Sequence, residues 1–380
     1  MSILNAEQRR DFLTRGFSRR HFGRLAALAG SAATLPFYNE AALAQRSFLP
    51  EGGPDSVMIN ANENPLGPCA EALEAMSAIL PRGGRYQFGE VLRLASTLAS
   101  VEGLGQDHVQ IFAGSSDPLH RTVLAFTSPT RSYVTGDPAY EPPEQAAQYA
   151  GAKVVRVPLT KDYRHDVKEM VRRAPDAGLF YVCNPNNPSG TVTPREDLAW
   201  LMTNKPAGSV VLIDEAYTHF CDEPRCTDWV KAGKDVIVLR TFSKIYGMAG
   251  LRAGAALARP DLLEKLRFYG AFFLPVTAMV GAHASLMSKM AVPERKKIVK
   301  DVREDVLAWL DKRGMKFVPS VSNKFMLDTG RPGRAMIQAL ARENVYVGRV
   351  WPSWPNHIRV TIGTRAEMEK FKQALAKVTA

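Results

Sequence analysis

The chain has 380 residues, 46% of them hydrophobic and 23% charged, with a formal charge of +11. That length and apolar content suit a folded chain of two domains, and no run of eighteen apolar residues offers a membrane-spanning helix. The positive balance favours anionic small molecules; without a basic run interleaved with aromatics or a zinc-finger spacing, nucleic acid is not expected as a partner.

At the amino end, Ser18-Arg19-Arg20-His21-Phe22-Gly23-Arg24 is followed by small and apolar residues from Leu25 to Phe37 and then by Ala42-Leu43-Ala44. Charged region, apolar region and small-residue site, in that order, make a secretory signal. The paired arginines resemble a twin-arginine export signal. Residues 1–44 are therefore expected to be an address cleaved after Ala44, with a periplasmic destination and no stable membrane association afterwards. Four cysteines would remain, Cys69, Cys183, Cys221 and Cys226. An oxidising compartment permits a Cys221–Cys226 bridge in CDEPRC, but free thiols are the simpler expectation. The stretch has too few ligands for a metal.

Residues 45–75 read as an arm that joins a smaller domain. Within it NANENPLGP (60–68) holds three asparagines and two prolines, which suits a fixed turn lining a pocket. A helix is expected from Cys69 to Leu80, then Arg85-Tyr86 in a glycine-flanked loop. Residues 76–275 alternate helices with short apolar runs: a helix over 91–102, strands at 109–112, 132–135, 153–157, 179–183, 210–214 and 236–239, and another near 253–257. Such alternation predicts an α/β fold with a mostly parallel central sheet covered by helices on both faces. Residues 276–380 read as a smaller α+β domain. It holds a long helix from Met287 to Arg313, strands within 316–328 and 345–362, and a closing helix over 365–378.

Ligands in such sheets sit beyond the carboxyl ends of the strands, and the chemistry-bearing residues lie there. After Val109–Phe112 comes Ala113-Gly114-Ser115-Ser116-Asp117 and a helix, so free backbone N–H groups face one point, as an anion site requires. Asp214 ends an apolar strand, where a carboxylate is costly unless it meets a cation or caps a helix. Lys244 follows the strand Val236–Leu239 in RTFSKIYGMAGLR (240–252). A lysine there is either a snorkelling surface group or, held in a partly desolvated pocket beside Arg252, a nucleophilic amine able to form a Schiff base. Asn187, in NPNNPSGT (184–191), and Tyr217, in DEAYTHF (214–220), offer an amide and a hydroxyl to an oxygen; Tyr140 is placed to stack on a ring. Taken together these groups describe one ligand. It has an aldehyde for Lys244, a ring nitrogen for Asp214, a ring oxygen for Asn187 and Tyr217, and a phosphate for Ser115, Ser116, Ser243 and Arg252. That ligand is pyridoxal 5′-phosphate.

On NANENPLGP, NPNNPSGT, DEAYTHF, RTFSKIYGMAGLR and HIRVTIGT (357–364), the chain resembles the fold-type I pyridoxal-phosphate enzymes of the class I/II aminotransferase family, nearest the histidinol-phosphate aminotransferase branch. The resemblance covers about residues 55–378. It implies that Lys244 carries the cofactor and moves the proton. It further implies that Asp214 pairs the ring nitrogen, that Asn187 and Tyr217 bind the ring oxygen, and that Thr241 joins the phosphate set. Tyr86 matches a tyrosine that reaches the neighbouring subunit's phosphate, which implies a homodimer. Arg359 and Arg349 match anion-binding arginines for the substrate, and Asn64 falls among the substrate-facing residues. Ser116 stands where the family often carries an acid. The activity implied is transfer of an amino group between an amino acid or amino phosphate ester and a 2-oxo acid such as 2-oxoglutarate. Decarboxylation of an amino-acid phosphate, or cofactor binding without catalysis, are the alternatives.

Overall fold

Short runs of Val, Ile and Leu that are buried on both faces form strands when helices can cover each side. Seven such runs make the central sheet of the computed structural model, which describes residues 6–18, 23, 53, 55–270 and 273–379. An outlying strand, β1 (Val57–Ile59), precedes them. The sheet strands are β2 (Val109–Phe112), β3 (Ser132–Asp137), β4 (Val154–Pro158), β5 (Ala177–Cys183), β6 (Val210–Asp214), β7 (Val236–Thr241) and β8 (Gly254–Leu257), in the spatial order β2-β8-β7-β6-β5-β3-β4. Only β8 runs antiparallel to its neighbours; β3 to β7 pair in parallel. The carboxyl ends of β2, β3, β5, β6 and β7 therefore share one edge, and the loops leaving them meet there.

Toward the carboxyl end, β9 (Phe317–Val318), β10 (Lys324–Asp328) and β12 (His357–Thr361) form an antiparallel sheet in the order β12-β10-β9. β11 (Val345–Val347) pairs in parallel with β1. The arm is thus tied by a strand to the carboxyl-terminal third, and residues 60–64 are carried across the sheet edge.

The long helix expected from Met287 to Arg313 is the helix Ala291–Lys312, and a separate helix, Val276–Met287, precedes it. Ser288 leaves the helical region at ψ 117°. Its hydroxyl donates to Glu71 (2.7 Å) and accepts the Ala291 N–H (3.3 Å), which stops one helix and caps the next. Pro293 then falls in a first turn, where a missing N–H leaves nothing unpaired.

The paired arginines, the apolar run 25–37 and the site at Ala44 lie outside the described residues. Ahead of them, the helix Ala6–Thr14 docks on the body of the protein. Phe12 and Phe17 are buried, with Phe12 against Phe268 at 5.8 Å between ring centroids. The Arg15 guanidinium donates to the carbonyls of Leu124 (3.0 Å) and Thr127 (2.9 Å) at the end of the helix Ser116–Phe126. A cation there satisfies orphan carbonyls and suits the helix dipole. All four cysteines are free thiols. Among the described residues no helix is long and apolar enough to cross a membrane.

Two strand ends are locked to each other by buried charge. Arg240, near the end of β7, donates to Glu102 from Nε (2.7 Å) and Nη2 (3.0 Å), and pairs with Glu215 through Nη1. Arg225 adds a 3.2 Å contact to Glu102. Burial would raise the Glu102 carboxyl, but Arg240 and Arg225 overcome it and hold it down to about 2. Glu215 follows Asp214, and Arg240 lies four residues before Lys244. The network therefore fixes the spacing of the two residues on which the site is built.

Candidate active site

The loops at the sheet edge enclose a cavity of about 230 Å³. Ser115, Ser116, Tyr140, Asn187, Asp214 and Tyr217 line it, as do Thr241, Ser243, Lys244 and Arg252. These ten sequence-derived residues come from five strand ends and the loop before β8, and they face one space.

One end of the cavity is an anion cradle. Ser115 precedes the helix Ser116–Phe126 and its side chain makes no capping bond, so the first N–H groups of that helix stay available. Gly114 turns into the helix at φ +87°, and a Cβ there would run into the Arg252 guanidinium. Arg252 donates to Ser243 Oγ (3.2 Å) and the Ala249 carbonyl (2.8 Å). Burial pulls it below the usual guanidinium value. Among the described residues no carboxylate pairs with it. A half-buried guanidinium without a carboxylate, beside a helix amino end, suits a phosphate group.

Farther in, Asp214 accepts from the Tyr181 hydroxyl (3.1 Å) and the Ala216 N–H (3.2 Å). Burial raises its carboxyl; those two donors and the ammonium groups of Lys244 and Lys324 pull against that rise. A buried carboxylate at a cavity wall is a site for a cation. The Lys244 amine lies 3.4 Å from the Ala61 carbonyl and 5.8 Å from the Tyr217 ring centroid. Its turn is held by Gly247, whose φ of +67° and contact with the backbone of Gly67 leave no room for a Cβ. Lys244 is thus neither snorkelling nor free to swing into solvent, being only 8% exposed.

Four other sequence-derived residues lie outside the cavity wall. Arg359 is buried beside it and donates to Asn187 Oδ1 (3.0 Å) and the Asn60 carbonyl (2.7 Å), so it reaches the cavity through Asn187. Arg349 pairs with Glu141 at 2.6 Å and stacks over Trp351 at 4.0 Å. Asn64 is spent on its own turn: it donates to the Ile245 carbonyl (3.0 Å) and accepts the Leu66 N–H (3.1 Å). Tyr86 points away, 76% exposed, and stacks with Phe88 at 5.5 Å.

Other groups in and around the site were not singled out from sequence. Asn62, in the left-handed region at φ 54°, donates to Tyr217 Oη (3.0 Å) and sits 3.4 Å from Asn187 Oδ1. Cys183 and Glu63 line the cavity. Lys324 stands on β10 behind Tyr217. Asn62 lay inside a motif already noted, but three asparagines in one turn give no sign of which one faces inward.

The pattern of the aminotransferase class I and II family matches residues 54–375. The chain belongs to this family. It is 32% identical over 366 residues to the histidinol-phosphate aminotransferase of Moorella thermoacetica, covering 92% of this chain and 94% of that protein. It is also 32% identical to an aromatic amino acid aminotransferase of Cutibacterium acnes, over 90% of this chain and 96% of that one. A crystal structure from Erwinia carotovora atroseptica, provisionally assigned as a histidinol-phosphate aminotransferase, superposes with a TM-score of 0.82 at 28% identity; the match spans 86% of this chain and 96% of that one. The histidinol-phosphate aminotransferase of Sinorhizobium meliloti, solved with pyridoxal 5′-phosphate, shares the fold at 24% identity and a TM-score of 0.77, over 91% and 95% of the two chains. The protein is an aminotransferase, and its architecture is the fold-type I arrangement expected from the sequence.

Proposed function

We propose that this aminotransferase binds pyridoxal 5′-phosphate covalently through Lys244 and moves an amino group from an amino acid or amino phosphate ester to a 2-oxo acid such as 2-oxoglutarate. One observation carries the reading: the Lys244 amine, the Asp214 carboxylate and the Arg252 anion cradle face a single cavity. The residues fit the group, because each of its polar ends has a partner of matching charge. When bound, the cofactor supplies a ring that takes up the electron pair released at the substrate's Cα.

Each residue then has a task. Asp214 keeps the ring nitrogen protonated. Asn187 and Tyr217 bind the ring oxygen, and Tyr140 lies against the ring. The backbone of Ser115 and Ser116 and the side chains of Thr241, Ser243 and Arg252 hold the phosphate. With the cofactor bound, the Lys244 amine would be the group that takes the proton from the substrate's Cα and holds it for return. Arg359, fixed by Asn187 and Asn60, receives the substrate's anionic end through two parallel hydrogen bonds. Arg349 can serve a second anion only by giving up Glu141.

Mixing the loaded protein with a panel of amino acids and amino phosphates should bleach the visible cofactor band with one class of donor and release a keto acid. Borohydride treatment before mixing should leave a pyridoxyl group on the peptide containing Lys244. Release of carbon dioxide instead of keto acid, or an adduct on another lysine, overturns the assignment.

Tyr86, Phe88 and Phe273 form an exposed apolar group, with the Phe88 and Phe273 rings 5.5 and 6.2 Å from the Tyr86 ring. Such a patch suits burial against a second copy of the chain, and the reading includes a homodimer with Tyr86 directed at the neighbour's phosphate site. It also includes export. Cleavage after Ala44 would remove the docked helix Ala6–Thr14 together with Phe12 and Phe17. Protein recovered from the exported fraction should begin at Gln45 and have twice the chain mass in solution. An intact amino terminus removes the export reading, and a single-chain mass removes the dimer.

A further inference from the structure

We propose that Lys324 is a positioning residue that holds a fixed positive charge on the face of Tyr217 and thereby strengthens the hydrogen bond its hydroxyl gives to the cofactor. The proposal rests on the role given to Tyr217 above.

Lys324 is completely buried, on β10 opposite Thr361 of β12. Its Nζ lies 3.1 Å from the centre of the Tyr217 ring and donates to Ser322 Oγ at 3.1 Å. A lysine is among the costliest residues to bury, and packing alone is better served by an apolar chain of the same length. The surrounding loop keeps the charge in place. Ser320 Oγ donates to the Lys324 carbonyl and accepts the Ser322 N–H (3.1 Å). The Val321 N–H donates to the Gly190 carbonyl at 3.0 Å. Gly190 itself sits at φ +74°, where a Cβ would run into Ser320. A strand of the carboxyl-terminal sheet is thus pinned to NPNNPSGT, and its ammonium is pressed on a ring that follows β6.

The charge bears directly on Tyr217, whose ring centre is 3.1 Å away. Asn62 already donates to Tyr217 Oη at 3.0 Å, so the hydroxyl accepts one bond on that side and turns its own proton elsewhere. A cation over the face of an aromatic ring draws electron density from it, and a phenol so polarised is a stronger donor. The other charged or titratable groups at this space are Lys244 after β7, Asp214 at the end of β6, Cys183 at the end of β5, Tyr140 after β3, Glu63 on the arm, Arg252 before β8, and Arg359 on β12 through Asn187. Burial raises the Cys183 thiol, so it stays uncharged. Asp214 and Lys244 are the pair that the cofactor engages. Lys324 is the cation here that the cofactor chemistry does not use.

Two absorbance titrations test the proposal with Lys324→Met. In the cofactor-free protein, the near-ultraviolet titration of wild type minus that of Tyr217→Phe reports Tyr217 alone. Lys324→Met should move this difference curve to higher pH by about one unit, the scale expected for one nearby buried charge. In the loaded protein, the pH midpoint of the visible cofactor band should rise by a similar amount. The rise should fall to less than about half in a Tyr217→Phe background. Ser322→Ala, which removes a hydrogen-bond partner of the ammonium without removing its charge, should move both midpoints in the same direction by a smaller amount, and it carries the test if Lys324→Met does not fold. An unmoved difference curve overturns the proposal whether or not the protein binds the cofactor. Equal shifts with and without the Tyr217 hydroxyl overturn it too. A moved difference curve in a protein that shows no visible band sustains the Lys324–Tyr217 contact and overturns the cofactor reading instead.

Discussion

Lys244→Ala is expected to abolish the visible band of the covalently held cofactor and to lower turnover at least about 10³-fold, while the protein stays folded. The two effects have separate origins. The band belongs to the bond between Nζ and the cofactor, and alanine cannot form it. The rate loss comes from removing the group that takes and returns the proton, a contribution of about 10²–10⁴-fold by itself, with the loss of nucleophilic exchange added to it. Stability should hardly change. The amine's hydrogen bond to the Ala61 carbonyl is long, and alanine relieves a buried cation of its desolvation cost. The cradle of Ser115, Ser243 and Arg252 survives, so the variant should still bind the phosphate end of the cofactor, with the absorbance of a free aldehyde. An unchanged spectrum together with an unchanged rate would falsify the assignment of Lys244. A lost spectrum in an unfolded protein would be recognised by circular dichroism and by loss of the phosphate site.

Much of this site was legible before any coordinates. Strand ends in a parallel sheet are marked by local signals: an apolar β-branched run, then a sudden polar or glycine-rich turn. Asp214, Lys244, Asn187 and the Ser115–Ser116 turn each follow such a run directly, so their convergence came from topology alone. The start of the helix Ala291–Lys312, four residues past the expected Met287, was not legible. Ser288 stops the preceding helix by bonding to Glu71, more than two hundred residues away, and no local pattern carries that. Lys324 was equally hidden, because within KFMLD it reads as an ordinary strand-edge lysine until β10 is laid behind Tyr217. Asn64 and Asn62 share a motif, and only the left-handed backbone at Asn62 decides which one reaches Tyr217 and Asn187. Arg349 was expected from its resemblance to an anion-binding arginine. The carboxylate that occupies it, Glu141, lies 208 residues away.

Asp214→Asn should lower kcat/KM by about 10²–10⁴-fold and weaken cofactor binding, with a larger loss in kcat than in KM. The substitution is nearly isosteric. An asparagine can still accept from the Tyr181 hydroxyl and the Ala216 N–H, so the backbone of the β6 exit should hold. What disappears is the negative charge. A neutral amide cannot keep the ring nitrogen protonated, and an unprotonated ring is a poor sink for the electron pair from Cα. Asp214→Glu keeps the charge but lengthens the side chain in a packed wall, and should retain more activity than the amide despite the greater steric change. If the amide and glutamate variants lost activity equally, steric fit rather than charge would be the function of the position. The sign in the cofactor-free protein provides a second check. Asp214 faces the ammonium groups of Lys244 and Lys324, both of which pull its carboxyl down against the upward push of burial. Removing the carboxylate leaves two buried cations 5.8 and 3.1 Å from the centre of the Tyr217 ring without it. The cofactor-free Asp214→Asn protein should therefore melt below wild type near neutral pH, and the gap should narrow as rising pH lets one ammonium lose its proton.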